Sequence, residues 1–388
     1  MDVSVPTEYP LDPFPLYERM RAAAPVFHDE PSGSWHVYRY DDVQRVLSES
    51  ATFSSHMGGD TPSGPGELFA ASLITTDPPR HRQLRSLVTQ AFTPKAVDAL
   101  APRITALTDG LLQGIEGSGS ADLIKELAYP LPVIVISELL GIPAQDRERF
   151  KRWSDVIVSQ TRTVPAGGTQ DATTAEMIQY FLALIDQRRG RPGNDLVSSL
   201  LAAEIDGHKL TVPELLGFCA LLLVAGNETT TNLIGNAVLC LAESPGTLER
   251  ILAEPALIPR TLEEVLRFRS PVQSMYRVST TEAVLGDQRI PAGAPIVAWI
   301  GSANRDERQF GRPAEFDIDR TPNRHLAFGH GIHFCLGAPL ARLEARIVLD
   351  ALLSRLPGLS LAPGAQLERM ESTIVYGLKT LPVTWQPA

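Results

Sequence analysis

A cysteine framed by glycines is the strongest chemical signal in the sequence. The segment FGHGIHFCLG places Cys335 directly before a helical pattern that begins at Leu336. Three glycines surround the thiol: Gly329, Gly331 and Gly337. Glycines permit a tight turn and the close approach of a flat group, and a helix N-terminus lowers the pKa of a nearby thiol. The pattern therefore predicts that Cys335 is a thiolate that binds a metal.

An acid beside a hydroxyl is the second feature that could do chemistry. Glu228 and Thr229 follow Ala225 and Gly226 in the segment AGNETT, in the middle of a long apolar helical pattern. Leu221, Ala225 and Thr229 share one stripe of that helix, and the small residues leave space beside it. A helical threonine usually bonds the carbonyl four residues earlier, which is the structural alternative for Thr229. The adjacency of acid and alcohol predicts a pair that passes protons.

Helical patterns dominate the elements that must position these residues. We predict helices at 15–23, 41–48, 79–92, 94–113, 132–140, 145–161, 174–189, 195–203, 212–242, 247–253, 258–268 and 336–356. Strand patterns occupy 35–40, 284–290, 294–300 and 373–385. No repeat or linker divides the chain, so we predict a mostly α fold with small β-sheets in a single domain, 1–388.

Composition limits which cellular compartment and which kinds of partner the protein can have. A net charge of −10 argues against nucleic acid and against an anionic membrane surface as partners. The three cysteines have unrelated spacings, which is typical of a reducing compartment, and Cys219 and Cys240 read as buried hydrophobes. The first 20 residues have neither a basic nor an apolar targeting region. We expect a soluble, cytoplasmic protein without a membrane anchor.

The longest apolar stretch, 215–242, could cross a membrane by length. Its only charge is Glu228, and Asn227, Asn232 and Asn236 fall on several faces. A carboxylate at the centre of a membrane span costs roughly 2.5–3.5 kcal/mol. We therefore predict a long helix buried inside a soluble protein.

The cysteine segment also matches a family signature. Phe328, Gly331, Cys335 and Gly337 fit FxxGxxxCxG, the haem-binding motif of the cytochrome P450 family, and AGNETT resembles that family's AGxET helix. The resemblance implies haem b with Cys335 as the iron ligand, Phe328, Gly329 and Gly337 beside the cofactor, and an alcohol and an acid that serve dioxygen. A zinc cluster is the alternative for this segment, although zinc sites usually have a second ligand pair. Its ligands would be His325, His330, His333 and Cys335.

Glu264 and Arg267, in EEVLRFRSP, fit the family's ExxR element. Spacing alone would also suit an ordinary surface ion pair of small energetic value. The resemblance implies that the pair buttresses the fold with a third partner from a downstream loop. That loop, SANRDERQF, is similar to the family's ANRDP segment, with Glu307 in place of the proline. Two arginines could complete the network, and the choice between Arg320 and Arg324 stays open.

Haem carries two propionates, which require cations or other donors. The resemblance assigns this role to His81 and Arg85, in an HxxxR motif, and to Arg277 and His333. A solvated charge is the alternative for each.

Nearly the whole chain resembles a bacterial-type soluble cytochrome P450. The resemblance implies a triangular, mostly α fold that holds haem b between the long central helix and the cysteine-ligand helix. It implies a monooxygenase that inserts one oxygen atom from O2 into a C–H bond of a hydrophobic small molecule, such as a macrolide, terpenoid, steroid or fatty-acid-like compound. We expect a monomer without a fused reductase, which receives electrons from a separate ferredoxin or flavodoxin and its NAD(P)H-dependent reductase.

The same resemblance predicts the substrate contacts, which are mainly apolar: Leu221, Val224, Ala225, Val272, Met275, Ile374 and Val375, with loops 57–73 and 156–177. Two other functions use the same cysteine. A haem-thiolate peroxygenase or isomerase, or a non-catalytic haem sensor, would not need Glu228 and Thr229.

Arg342 and Arg346 lie one turn apart on the helix after the cysteine, which predicts a basic docking surface for an acidic redox partner. The alternative is that both are solvated or pair with Glu344 and Asp350.

Overall fold

The computed structural model describes residues 12–56, 71–89, 92–162, 172–204 and 207–387. The chain forms two compact units. Unit 1 comprises Met1–Ser54, Arg103–Ala128 and Thr229–Ala388, and unit 2 comprises Ser55–Pro102 and Tyr129–Glu228. A single domain over 1–388 stays a prediction.

Helices form most of the described chain, as predicted. They are α1 (Phe14–Ala23), α2 (Tyr40–Ser48), α3 (Arg80–Thr89), α4 (Pro94–Asp98), α5 (Ala101–Gln113), α6 (Pro130–Leu139), α7 (Arg147–Arg162), α8 (Ala172–Gly190), α9 (Leu196–Ala202), α10 (Val212–Ala225), α11 (Glu228–Ala242), α12 (Pro245–Ala253), α13 (Ile258–Phe268), α14 (Ile300–Ala303) and α15 (Ala338–Arg355).

Small sheets belong to unit 1. The strands are β1 (Val26–Asp29), β2 (Ser34–Val37), β3 (Phe53–Ser54), β4 (Ser120–Asp122), β5 (Met275–Ser279), β6 (Ala283–Leu285), β7 (Gln288–Ile290), β8 (Pro295–Ala298), β9 (Ser360–Leu361) and β10 (Pro382–Thr384). A five-stranded sheet has the order β1-β2-β8-β5-β3, a three-stranded sheet the order β4-β10-β9, and β6 pairs with β7. Among the strands of the described residues, only β2 and β8 run parallel, with Trp35 opposite Ile296.

Unit 2 is helical within its described residues. Helices α6, α7, α8 and α10 pack on one another, and their apolar contacts bury Trp153 and Phe181. Helix α10 begins with a complete capping box, in which Thr211 and Glu214 satisfy each other's backbone N–H groups. The local sequence thus sets where the apolar helix starts.

The predicted helix 212–242 is interrupted. Helix α10 ends at Ala225 and α11 begins at Glu228. A side chain at Gly226 would meet Ile136 Cδ1 at 2.8 Å, and the Asn227 amide donates to Ser154 Oγ at 2.9 Å. Close packing at the glycine and the hydrogen bond of the buried asparagine accompany the break.

Other boundaries also differ from prediction, among them the start of the helix after the cysteine and the C-terminal strand. Helix α15 begins at Ala338 rather than at residue 336, because Gly337 is its N-cap and a proline occupies its first turn. The C-terminal strand pattern 373–385 yields only β10 and isolated bridges, one of which joins Val272 and Val375. The polypeptide around Gly377 therefore crosses a neighbouring segment without forming a long strand.

Candidate active site

The cysteine loop occupies unit 1 between a short 3-10 turn, Gly331–His333, and α15. The Cys335 N–H donates to the Phe328 carbonyl at 2.8 Å, which closes the loop. Gly329 and Gly331 have φ angles of +74° and +69°, in the left-handed region that favours glycine. A Cβ at Gly331 would also lie 2.8 Å from Ser48 Cα. The loop needs these glycines to place a half-buried thiol at the start of a helix.

The donor chemistry of unit 1 suits haem. Arg277 on β5 is buried, with its guanidinium donating to the Tyr276 carbonyl at 2.7 Å. His333 is half-buried, two residues before the cysteine. A thiolate is a soft iron ligand, and a guanidinium and an imidazole are donors for carboxylates. The described residues of the loop and of β5 therefore fit a cofactor that has iron and two propionates.

Helix α3 carries the other two predicted propionate ligands, in unit 2. His81 is buried and Arg85 is half-buried. Burial lowers the pKa of His81, and the Arg85 charge lowers it further, whereas Asp77 raises it. The effect of Arg85 on His81 requires that the two side chains be close, as the spacing of four residues predicted.

The acid and the alcohol lie where the central helix is interrupted. Glu228 is buried at the first position of α11, and Thr229 is half-buried. Along the predicted stripe, Ala225 is exposed and Leu221 is half-buried, although this helix is mostly apolar. Leu222 and Val224 beside the stripe are half-buried as well.

Of the other predicted substrate contacts, Val224 is half-buried in unit 2, and the rest of the single residues belong to unit 1. Val272 and Met275 are half-buried, as is Ile374, and the Gln273 N–H donates to the Ile374 carbonyl at 2.7 Å. Val375 is buried at 8% exposure. Of the two predicted substrate loops, residues 57–70 and 163–171 lie outside the described part of the chain.

Glu264 and Arg267 form a fully buried network in place of a surface pair. Arg267 donates two hydrogen bonds to Glu264, at 2.7 and 2.9 Å, and others to the carbonyls of Asn304, Pro313 and Glu315. Glu264 also accepts from Arg320 at 3.2 Å and from Asn323 at 3.1 Å. The third partner is thus Arg320, whereas Arg324 is exposed and its carbonyl accepts from Tyr40.

Glu307, which replaces the proline of the family segment, has an ionic role. Its carboxylate accepts from Arg39 at 2.5 Å and from Arg21 at 3.2 Å. Arg39 also donates to Asp306 at 2.7 Å. This network ties α1 and the start of α2 to the downstream loop. No motif in the sequence indicates Arg21 or Arg39, and the substituted glutamate is the one sequence signal for them.

The structure also corrects the pairing expected near Arg342. Arg342 binds Glu263 at 2.6 and 2.9 Å and stacks on Phe328 at 4.4 Å, whereas Arg346 is exposed. Glu344 is buried and hydrogen-bonded by Thr230 of α11, and burial raises its pKa to about 8. The alternative that Glu344 pairs with these arginines is therefore wrong. Apolar residues four positions away on either side, Leu340 and Val348, were the signal that it faces the core.

The zinc alternative has no support in the geometry. Both ring nitrogens of His325 are engaged, Nε2 with Glu263 at 3.1 Å and Nδ1 with the Ala327 N–H at 3.3 Å. His330 is exposed. Across the ranges that the structure describes, no three His, Cys, Asp or Glu side chains are grouped to hold a metal ion.

The segment Val212–Ala242 is long and apolar enough to cross a membrane, a property it shares with core helices of soluble proteins. Its polar side chains bind within the fold. Asn236 donates to the carbonyls of Arg269 and Tyr376 at 3.0 and 3.2 Å, and Thr231 to that of Ala128 at 3.0 Å. These contacts are typical of a core helix, and the bacterial relatives of this chain are soluble.

Comparisons with known proteins indicate the same family as the cysteine loop, the helix with Glu228 and Thr229, and the buried network of Glu264 and Arg267. Residues 156–385 match the family model for cytochrome P450. Cytochrome P450 109 of Bacillus spizizenii is 45% identical over 96% of this chain and 92% of its own, and the monooxygenase PikC of Streptomyces venezuelae is 42% identical over 98% and 92%. The crystal structure of CYP109E1 from Bacillus megaterium with testosterone superposes with a TM-score of 0.90, at 44% identity and coverage of 97% and 98%.

These identities cover almost the full length of the relatives. They indicate that this chain shares the family's fold and the chemistry that the family performs. Bacterial members generally take electrons from a ferredoxin and its reductase and bind hydrophobic substrates. The chain with this cysteine loop therefore belongs to the cytochrome P450 family, whose members are haem b monooxygenases.

Proposed function

We propose that this protein hydroxylates or epoxidises a hydrophobic small molecule of steroid or macrolide size. The observation that carries the proposal is the partial exposure of Leu221, Ala225 and Thr229 at the junction of α10 and α11, which are otherwise apolar core helices. These residues offer apolar contact and one hydroxyl, which suits a large molecule with few polar groups. The relatives agree in kind, since one is a vitamin D(3) 25-hydroxylase and CYP109E1 was solved with testosterone and with corticosterone.

Cys335 is the proposed iron ligand, and Arg85, Arg277 and His333, with His81, are the proposed propionate donors. Gly329 and Gly331 turn the chain tightly before the cysteine, and Gly331 packs closely on Ser48 of α2. A side chain at Gly337 would begin 3.9 Å from the Cys335 sulfur, so its absence supports the close approach of a flat macrocycle. Phe328, Gly329 and Gly337 complete this surface. Haem supplies the activation of dioxygen, and its thiolate ligand favours cleavage of the O–O bond.

Glu228 and Thr229 hold and move the protons that this chemistry consumes. Thr229 is half-buried, and the buried Glu228 precedes it directly. Ala225, which is exposed, keeps the space beside the hydroxyl free of bulk, whereas Gly226 allows close packing on Ile136. Apolar contacts from Val224, Val272, Met275, Ile374 and Val375 orient the substrate and exclude water.

We further propose that the protein acts as a cytoplasmic monomer. A separate ferredoxin or flavodoxin, reduced by an NAD(P)H-dependent reductase, would supply its electrons. The net charge of −10 and the three cysteines without a disulfide pattern support this setting.

The first experiment tests the iron ligand. Cys335→His should abolish the red-shifted absorption band that thiolate-ligated ferrous haem gives with carbon monoxide. Cys240→Ala, at a buried cysteine of α11, is the matched control and should keep the band. Survival of the band in the histidine variant would mean that another residue holds the iron.

The second experiment tests the reaction. Testosterone and a macrolide are added to the ferric protein, and the shift of the main haem band reports binding. Turnover is then measured with ferredoxin, reductase and NADPH. Thr229→Ala should bind substrate normally yet divert most electrons to hydrogen peroxide, whereas Thr229→Ser should keep coupling. Product formed equally well by both variants would return Thr229 to a structural role.

A further inference from the structure

A bidentate ion pair joins the first residue of α3 to the first turn of α10, within unit 2. Arg80 Nε lies 2.7 Å from Glu214 Oε1, and Arg80 Nη2 lies 2.6 Å from Glu214 Oε2. Arg80 Nη1 also donates to Gln83 at 2.9 Å, and Nη2 is 3.4 Å from the Lys209 carbonyl. Two parallel hydrogen bonds fix distance and orientation together, which a single contact does not.

Glu214 is itself held rigidly. Its Oε2 atom accepts from the backbone N–H and the hydroxyl of Thr211, both at 2.8 Å, and the Glu214 side chain is only 13% exposed. Burial raises the pKa of Glu214, but the hydrogen bonds from Arg80 and Thr211 together lower it by more, so the net shift is downward. The carboxylate therefore stays charged and keeps its place at the start of α10.

Helix α3 needs such a partner. It begins Arg80, His81, Arg82 and has no acidic residue in its first turn. The N-terminal end of a helix carries partial positive charge, so cations there are unfavourable. The nearby Asp77 interacts with His81 and accepts from the Ser55 N–H. Glu214 places a second negative charge at this end from a different helix.

We propose that Arg80 and Glu214 are a positioning pair, which holds α3 in the orientation in which Arg85 and His81 bind the haem propionates. The proposal rests on the proposed propionate role of these two residues. Arg85 lies five residues after Arg80 on a helix of ten residues, so a shift of its first turn moves the guanidinium. Retention of haem then depends on a carboxylate at the start of α10.

The test uses Glu214→Gln in the full-length holoprotein. The single carbonyl oxygen of glutamine can still accept the Thr211 hydrogen bonds of the capping box, whereas the amide nitrogen cannot accept from Arg80. The change therefore removes the charge of the ion pair and one of its two hydrogen bonds and keeps the cap. The readout is the rate of haem transfer to excess apomyoglobin, followed by absorbance. We expect roughly ten-fold faster loss of haem, as for the weakening of one charge-assisted bond. Arg82→Gln, at an exposed residue of the same helix turn, should leave the rate unchanged.

The decisive arm combines Glu214→Gln with Arg85→Ala. If the pair acts by positioning Arg85, Glu214→Gln should add little to the rate once Arg85 is absent. An equal acceleration in both backgrounds would indicate general destabilisation and overturn the proposal, as would a wild-type rate in Glu214→Gln alone. A wild-type rate in Arg85→Ala alone would instead show that the propionate assignment of Arg85 has failed, and the positioning role would fall with it.

Discussion

Two adjacent carboxylates of α13 lie in very different surroundings. Glu264 is buried and accepts hydrogen bonds from Arg267, Arg320 and Asn323. Glu263 is about one third exposed and binds Arg342 and His325, at 2.6 and 3.1 Å. Both carboxylates form short ion pairs. The side of α13 that carries Glu264 faces the core, whereas the side that carries Glu263 faces solvent.

The difference shows that burial, more than distance, decides what an ion pair contributes. A buried charge that loses its partner stays away from water, which typically costs about 3–5 kcal/mol. An exposed charge is hydrated again when its partner is removed, so the loss is about 0–1 kcal/mol. Loss of the Glu264 network should therefore destabilise the core of unit 1, whereas loss of the Glu263 pair should have little effect on stability.

The largest effect is expected for Glu264→Gln. This change leaves Arg267 and Arg320 buried without a counter-charge, and we expect a loss of about 3–5 kcal/mol in the free energy of unfolding. Urea unfolding of the holoprotein measures it, with Glu263→Gln as the matched control at the adjacent position. Equal losses for the two variants would contradict the role of burial.

A buried carboxyl with a neutral partner sharpens the comparison. Burial raises the pKa of Glu344 from 4.5 to about 8, and Thr230 lowers it only in part. Because the folded pKa lies above the unfolded one, the stability that this group contributes is complete below about pH 4.5 and is lost as pH rises to 8.

Glu344→Gln removes this dependence. Relative to the native protein, the variant should gain stability on the order of 3 kcal/mol between pH 5 and pH 9. Unfolding in urea at each pH measures the difference. A constant difference would mean that Glu344 is ionised in the folded protein throughout this range.

A smaller effect is expected for Glu263 in acid. Burial raises the pKa of Glu263, but the bonds from Arg342 and His325 outweigh it, and the pKa falls to about 2. The stabilisation is therefore present above about pH 4.5 and is lost as pH falls through 2. Since the side chain is about one third exposed, solvent screening limits it to about 1 kcal/mol. Native protein and Glu263→Gln should converge in stability between pH 5 and pH 2.5.

The smallest effect on stability is expected at Arg346. It is exposed, so Arg346→Glu should change the free energy of unfolding by less than about 0.5 kcal/mol. The same change should slow reduction by an acidic ferredoxin at low salt, with less slowing at high ionic strength. Arg342→Glu changes the charge by the same two units and also leaves Glu263 without its arginine partner, so it should slow reduction to a similar degree. Dithionite reduction is the control, and slowing with both reductants would indicate a damaged haem site.

Local patterns in the sequence were enough to predict the family and the mostly helical fold of this protein. The glycine loop around Cys335, the adjacent Glu228 and Thr229, and the ExxR spacing are short motifs whose geometry depends on neighbouring residues, and they indicated the family. The helical periodicities predicted a mostly helical fold for the same reason. Even the capping box of α10 is readable as Thr211 followed three residues later by Glu214.

The tertiary structure alone decided which distant groups meet. Arg320 rather than Arg324 reaches Glu264 across 56 residues, Arg342 reaches Glu263 across 79, and Arg80 reaches Glu214 across 134. Glu344 is buried although it lies between two arginines in the chain. Each outcome depends on which face of a helix packs against the rest of the protein. The identity of a charged residue in the sequence does not show whether that face is covered or open to water.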